Sequence, residues 1–586
     1  MSSDALRKQW TGGAAADTRL GAATSDPDRP DPAPTPAPGR PAPARRRRET
    51  LLVTAAPALV TLACGIVGLG DRQLWRDEHA TWWAATQLTV PELVDLLGNT
   101  DVVLAAYYGY LRIWTAVFGD SPLALRFPSL LWMSAAAALL ALLGRRLYDA
   151  PTGLLAGLLF AVLPTVSRYA AEARPHAQTL AATIGATLLL LRAFDRPTRW
   201  RWTGYALGVA AVGLSHLVAL SVLAVHAVLV AAEVRGRGRP VVRLVRPWLV
   251  AVGAGCAVPA PLVLLASGQS HQDVGNSRPE PLDLLRLPGA LLGGREVAIL
   301  LGGLALAGLA VHHRPTLVLA VWALPTPVVS YLASAQWRLF HPRHLLFTVP
   351  AWVLLAAAGT LLAARLGRSG TTPVRRPVLR SVLAGAVAVA LVVGYGLPGH
   401  RAARHDLVEN EFAFRQVADF IRTHARPGDG IAYGGHRYLR RAMAYELRHD
   451  PARSTSSWRY PPGTRAGTTT RNAGARRSAW AAYGGSGSSR CAVGRTRWTG
   501  SPEPAVSCCE TGSWWRGWRS FPGSGCWNWS GGGRRSTPVA PRRCVAGASR
   551  AVHHGGLSAM HRPDWQYDVR RQSLPTDGTG QPDGRQ

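Results

Sequence analysis

The chain has 586 residues, with 66 lysines and arginines against 34 acidic residues, a formal net charge of +32 and a mean hydropathy of +0.05. That hydropathy averages a very apolar middle with two polar ends, so the length divides into several segments. The positive charge does not indicate nucleic acid in the middle, because its arginines sit in short clusters between apolar runs, as in the cytoplasmic loops of membrane proteins, and not on one soluble face.

Residues 1–50, rich in Pro, Ala, Asp and Arg, read as a disordered cytoplasmic tail. Lys8 is the only lysine; arginine in its place, with abundant Ala, Gly and Pro, marks a GC-rich genome and says little about partners. Arg45-Arg46-Arg47-Arg48 precede an apolar run over 51–70 that is long enough to cross a bilayer. No convincing small-residue cleavage site accompanies it and many apolar runs follow, so it reads as an uncleaved first span with the arginines kept inside. Residues 71–126 then form a long first extracytoplasmic loop. Its two amphipathic stretches, Thr81–Leu97 and Val103–Phe118, carry Trp and Tyr as interfacial helices do.

Further spans are expected at 127–147, 152–168, 176–195, 203–215, 217–233, 248–267, 288–311, 316–333, 344–365 and 379–398. The connectors test the count. Arg145 and Arg146, the group from Arg192 to Arg201, the cluster from Arg235 to Arg246, Arg314, and the group from Arg365 to Arg376 all fall inside. This alternation requires 203–233 to be two short spans turning at Ser215-His216; a single span would put the Arg235–Arg246 cluster outside. The expected fold is an all-α polytopic membrane protein of about eleven transmembrane helices in a bacterial plasma membrane. Its N-terminus is cytoplasmic and its C-terminus extracytoplasmic. Cys64 and Cys256 lie in apolar runs as packing residues.

Residues 399–450 read as the start of a small α/β extracytoplasmic domain. Phe414–His424 is amphipathic, and Pro427-Gly428-Asp429-Gly430 is a turn before a short strand at Ile431-Ala432-Tyr433. From about Pro451 the composition shifts to Arg, Gly, Ser, Trp and Cys, with nine of the 21 Trp and five of the seven Cys. Neither helix nor strand patterns are expected there. Cys491, Cys508, Cys509, Cys526 and Cys544 match neither a zinc site nor a disulfide framework. A natural disordered tail is poor in Trp and Cys, so 451–586 reads as out-of-frame translation of a GC-rich gene, which would leave the outer domain incomplete.

The chemistry-bearing residues gather at the outer face. Asp77-Glu78 lies just past the first span; a carboxylate pair there is what a sugar transferase needs when its donor is a lipid. The same pair also reads as helix caps, as does Asp101 before Tyr107-Tyr108. Arg126, Arg168, Arg174, Arg338 and Arg343 map to outer ends of spans, against the insertion bias. A bound lipid phosphate would explain them, since the guanidinium fork pairs with phosphate. Snorkelling and local salt bridges are the alternative, with Glu172 in reach of Arg168 or Arg174. His216 is either a site residue or a core histidine satisfied by a neighbouring span.

Five segments together resemble a family. Leu74-Trp75-Arg76-Asp77-Glu78-His79-Ala80-Thr81 resembles the first-loop acidic motif of the GT-C membrane glycosyltransferases, closest to the bacterial family 39 group, which is similar to the protein O-mannosyltransferases. Asp101–Trp114, with Tyr107-Tyr108, looks like that group's second loop motif, and Arg126-Phe127-Pro128-Ser129 like the start of its second span. Ser167–His176 resembles its Glu-Ala-Arg-Pro-Tyr motif with His176 for Tyr, and Pro342-Arg343-His344-Leu345-Leu346 its late Pro-Arg-Tyr-Leu motif with His344 for Tyr.

The resemblance spans about 50–450. It implies a GT-C fold and inverting transfer of a sugar, mannose-like or other, from a polyprenyl-phosphate donor to a hydroxyl of a protein, lipid or polysaccharide. Asp77 would be the general base. Arg174 and Arg343 are the first choices for the phosphate, with Arg126, Arg168 and Arg338 behind them. Glu78 and Asp101 would orient substrate, Glu172 would fix an arginine, and Tyr107, Tyr108, His176, His216 and His344 would line the site. Some GT-C enzymes hold a divalent metal ion, for which Asp77 and Glu78 are the candidates, and no other cofactor is implied. A transporter or flippase of lipid-linked sugars is the alternative, although it would more often show inverted repeats and polar groups near the midplane. An inactive polyprenyl-phosphate-binding family member is a third reading.

Overall fold

The computed structural model describes residues 43–237, 241–269, 279–310, 314–337, 340–366, 376–404, 412–425, 430–433, 437–450, 490–494, 505–509 and 515–519. The first 42 residues, Arg338, the turn Pro427-Gly428-Asp429 and most of the segment after 451 lie outside the described residues.

Helix α1 (Pro43–Ile66) leads into the first loop, which holds α2 (Arg76–Trp82), α3 (Val90–Asn99) and α4 (Ala105–Phe118). Both expected amphipathic stretches are thus helical, although the first divides in two. Trp83–Gln87 is a widened π turn, and the Thr89 and Glu92 side chains close the start of α3.

The remaining bundle helices follow in order: α5 (Pro122–Leu147), α6 (Ala150–Ala161), α7 (Pro164–Ala170), α8 (His176–Asp195), α9 (Arg199–Ser215), α10 (Val222–Arg237), α11 (Val241–Ala257), α12 (Ala260–Gln269), α13 (Pro281–Leu292), α14 (Arg295–Leu309), α15 (Arg314–Ala323), α16 (Pro325–Trp337), α17 (Val349–Leu366) and α18 (Arg376–Ala403). A 3₁₀ turn at Pro342–Thr348 runs straight into α17.

Among the described residues, seven segments are long and apolar enough to cross a membrane, or ten if each bent pair counts as one span. The protein is a multi-pass membrane protein. The expected span outside these ten, 203–215, lies in the 17-residue helix α9, which ends at Ser215 with His216 as its cap. The chain therefore breaks where the charge alternation required it. Three expected spans are not straight: α6 and α7 meet at 63°, α11 and α12 at 53°, and α13 and α14 at 90°. Pro164 and Pro259 interrupt the first two pairs, since proline brings no N–H to the helix. Gly293 turns the third at φ +85, and a Cβ there would come within 2.6 Å of Pro164, so two of the bends pack into each other.

The ends of the helices separate by charge. Arg145 pairs with Glu49, Arg146 with Asp195 and Arg365 with Asp149, which joins the ends of α5, α8 and α17 to the starts of α1 and α6. Arg126, Asp77, Arg174 and Arg343 collect at the opposite ends of the same helices. Helices α8 and α17 form the middle of the bundle, while α1 and α18 lie at its margin with their Leu and Val side chains outward. Glycine permits the tightest crossing, that of α14 on α17. A Cβ at Gly359 would fall 1.9 Å from the Leu304 carbonyl oxygen, and one at Gly308 would fall 2.1 Å from that of Leu355.

Beyond α18 come α19 (Phe414–His424), β1 (Gly430–Tyr433) and α20 (Arg437–Glu446). Strand β1 begins a four-stranded sheet with β2 (Arg490–Gly494), β3 (Ala505–Cys509) and β4 (Trp515–Arg519). β2 runs parallel to β1, and β3 and β4 are antiparallel to their neighbours. The last three strands fall in the segment where the composition gave no strand pattern. The composition of a long window hides short runs in which Val493 stands opposite Val506 and Trp518 opposite Ser507, residues of high strand preference among them.

Candidate active site

Helix α2 presents Asp77 and Glu78 to different surroundings. Glu78 and Arg126 are both fully buried, and their pair is bidentate: Nε donates to Oε1 at 2.8 Å and Nη2 to Oε2 at 2.7 Å. The rest of the Arg126 guanidinium donates to the carbonyls of Leu69, Arg72 and Gln73. Glu78 also accepts from the backbone N–H of Ala173 at 2.8 Å and of Trp75 at 3.2 Å. Burial would raise the Glu78 carboxyl, but Arg126, then Arg72 and the Ala173 N–H, hold it down at about 2. Glu78 thus ties α2, the first turn of α5 and the 171–175 connector into one frame. The placement differs from two expectations: Glu78 is buried among protein partners, and the Arg126 guanidinium is taken up by Glu78 and three backbone carbonyls.

Asp77 lies on the accessible side of that frame. Its Oδ2 accepts from Arg174 Nη2 at 3.0 Å and from Arg343 Nη1 at 3.1 Å. The three side chains are 22%, 15% and 29% exposed. They come from three separate parts of the chain: the first loop, the connector before α8 and the 3₁₀ turn before α17. Arg174 is held further by Thr81 Oγ1 at 3.3 Å. His341 Nδ1 accepts from the backbone N–H of Arg343 at 3.3 Å, which fixes the start of that turn. Burial acts to raise the Asp77 carboxyl, yet Arg174, Arg343 and Arg76 outweigh it and keep it below the ordinary value. Asp77 pairs with two cations, so the group carries a surplus positive charge suited to an anion. Its carboxylate is not a helix cap.

The other expected residues divide. Asp101 sits in the left-handed region at φ 59, and its Oδ2 accepts from Tyr108 OH at 3.3 Å. Tyr107 and Tyr108 are buried in the first-loop core with Leu74, Trp82, Leu125 and Ala173. Burial pushes both phenols up. Arg168 is half exposed and pairs with Glu172 at 3.4 Å, away from the Asp77 carboxylate. The Glu172 carboxyl is pushed up by burial against the pull of Arg168 and Arg72.

His176, His216 and His344 form a row beside Arg343. The ring centroids are 6.5 Å apart from His176 to His216 and 5.0 Å from His216 to His344, with His341 a further 5.5 Å on. Burial pushes His216 and His341 down to about 3, so both imidazoles are neutral. His341 and Arg72 are the residues that sequence reasoning missed near the site. Arg72 donates to the carbonyls of Ala171 and Ala403, and only its place on the outer side of the first span could have flagged it.

The donor set does not fit a divalent metal ion. Asp77 and Glu78 each face guanidinium groups, and no group of three His, Cys, Asp or Glu among the described residues is gathered as ligands.

The structure is thus a many-spanned helical membrane protein with an Arg–Asp–Arg cluster at one end of its bundle. Residues 105–264 match the profile of the dolichyl-phosphate-mannose-protein mannosyltransferases. The match takes in most of the second loop motif, Arg126, Arg174 and the histidine row as far as His216, and leaves Asp77, Glu78 and Arg343 outside it. No curated protein matches the chain.

Three kinds of solved structure are similar. ArnT from Cupriavidus metallidurans bound to undecaprenyl phosphate is 15% identical over 76% of this chain and 93% of its own, with a TM-score of 0.46. The oligosaccharyltransferase AglB from Archaeoglobus fulgidus, in complex with an inhibitory peptide and a dolichol-phosphate, is 12% identical over 70% and 65%, with a TM-score of 0.43. The arabinofuranosyltransferase AftD from Mycobacteria is 16% identical over 66% and 29%, with a TM-score of 0.40.

Proposed function

We propose that the protein transfers a sugar from a polyprenyl-phosphate donor to an acceptor hydroxyl at the extracytoplasmic face, with inversion at the anomeric carbon. The observation that carries the reading is the Asp77 carboxylate held between Arg174 and Arg343. An acceptor oxygen attacks the anomeric carbon as its proton passes to Asp77. The bond from that carbon to the phosphate oxygen breaks, and the electron pair leaves with the lipid phosphate. The charge that develops on the phosphate is met by Arg174 and Arg343.

A phosphate is already a good leaving group, so the protein's task is placement and charge. The depressed Asp77 carboxyl is ionised at neutral pH, as a proton acceptor must be. The donor named in the matching family's description is a polyprenyl-phosphate sugar of this kind. The chemistry is gathered at the bundle's end and not at its middle, which favours transfer over transport. The membrane orientation follows from this reading, with the N-terminus in the cytoplasm, and the acceptor is a hydroxyl of a protein, lipid or polysaccharide in the cell envelope.

Stereochemistry tests the reading. Membranes expressing the chain are supplied with polyprenyl-phosphate mannose and polyprenyl-phosphate arabinose, and the anomeric configuration of the product is read by NMR. Inversion is expected from one of them. Retention would require a covalent sugar–enzyme step and would remove Asp77 from its role as base.

A further inference from the structure

Helix α2 is gripped from a second side, by the segment after the last span. His79, two residues past Asp77, is fully buried against the C-terminal helices. Its ring stands edge-on to Phe414 of α19 at 5.1 Å and to Tyr445 of α20 at 5.6 Å. Its Nε2 lies 3.9 Å from Glu446 Oε1, too far for a hydrogen bond. Both ring nitrogens of His79, and that carboxylate oxygen, are buried without a hydrogen-bond partner.

The contacts around them are satisfied. Trp82 Nε1 donates to Asp120 Oδ2 at 2.8 Å, Tyr445 OH to the Asp120 carbonyl at 3.2 Å, and Gln73 Nε2 to the Phe412 carbonyl at 2.7 Å. Orphaned polar atoms that face each other across a well-made interface are rare and call for a reason. Burial pushes the His79 imidazole down against the pull of Glu446 and Glu78, with Arg126 adding to the fall. A neutral ring beside a carboxylate is a hydrogen-bond donor waiting for its acceptor.

The same helix has a reason to move. Asp77 is bonded to the two guanidiniums that a donor phosphate would occupy, and a phosphate arriving there competes with Asp77 for them. Resting on the transferase reading, we propose that His79 and Glu446 are positioning residues. When phosphate takes Arg174 and Arg343, α2 shifts, the His79–Glu446 gap closes to a hydrogen bond, and Asp77 is held facing the acceptor. In the empty site the pair is open and Asp77 rests on the arginines. The movement needed is on the order of 1 Å, the difference between the present gap and a hydrogen bond, and a displacement of that size is enough to govern a proton transfer.

The test uses the full chain in membranes with Glu446→Leu, Glu446→Gln and His79→Phe, the last keeping the ring that packs between Phe414 and Tyr445. Two readouts are taken: transfer kinetics per folded protein, and amide hydrogen exchange over Arg76–Trp82 with and without polyprenyl phosphate. In the parent, polyprenyl phosphate should slow exchange in this helix. In Glu446→Leu and His79→Phe that protection should vanish, with kcat lowered about tenfold and the donor KM within about twofold. Glu446→Gln, which keeps an acceptor, should restore both.

A merely structural role would lower thermal stability and leave kcat per folded protein unchanged. Variants that match the parent in exchange and kcat overturn the latch and leave the transferase reading intact. A parent that gains exchange protection but transfers no sugar keeps the latch and overturns the reading. A parent that shows neither overturns both.

Discussion

Asp77 and Glu78 are adjacent carboxylates on one short helix, and each meets a different arginine system. Glu78 meets Arg126 in the interior, 48 residues away in sequence; Asp77 meets Arg174 and Arg343 at the accessible edge, 97 and 266 residues away. The acidic pair and the wrong-side arginines were legible from sequence, because an acid after a span and a cation at its outer end both defy ordinary usage. Their division between interior and accessible edge was not, since charge bias registers a buried arginine and an accessible one in the same way.

Glu78→Gln should therefore act on stability. Removing one member of a buried ion pair leaves Arg126 uncompensated and costs about 3–5 kcal/mol, read as a fall in the thermal unfolding midpoint in detergent. The pH dependence follows in sign. The Glu78 carboxyl is held at about 2, below its ordinary 4.5, so its contribution is complete above that ordinary value and is lost as pH falls towards 2. The parent should lose stability across that window faster than the Gln variant; equal slopes would place the pair elsewhere than in the folding balance.

Among the helices, hydropathy located the elements well and their bends poorly. An apolar run of span length reads the same whether it is straight or turns by 90° at Gly293, because the turn changes direction and not composition. The break at His216 was legible through the arginines around it, which had to stay on one side. The crossing of α14 and α17 was not legible, since it depends on two glycines 51 residues apart meeting face to face.

Gly359→Ala tests that crossing. The new methyl would meet the Leu304 carbonyl oxygen at 1.9 Å, and the helices must part, at a cost of about 1–3 kcal/mol. Gly302→Ala, on the same helix as Gly308 with open space around it, should leave stability unchanged or raise it slightly. If both variants unfold at the same temperature as the parent, the close approach is not present in the membrane.

For the molecule as a whole, the cluster is assembled from connectors at one end of the bundle and roofed by α19, α20 and the described residues beside them. Gln73, His79, Trp82 and Asp120 of the first loop all meet that roof, and Arg448, just past α20, pairs with Asp120 at 3.4 Å. Among the described residues, these contacts of the roof on the first loop all come before the composition changes at Pro451. A chain stopped after Asp450 should keep transfer, and one stopped after Arg404 should lose it; loss in both would show that the strands paired with β1 are needed. The sequence signalled α19 through the amphipathic pattern of Phe414–His424, and the segment from 399 to 450 as a unit of its own. It gave no sign that this domain packs on the acidic loop, because nothing local to either segment encodes the meeting.

The most direct measurement of the central claim is sugar transfer from radiolabelled polyprenyl-phosphate donors by membranes carrying the parent chain or Asp77→Asn, with donor binding measured on both. Transfer by the parent, a loss of about 10²- to 10⁴-fold in Asp77→Asn, and retained donor binding are the predicted result. Equal transfer by the two chains would contradict the account, because the residue between Arg174 and Arg343 would then not be the base.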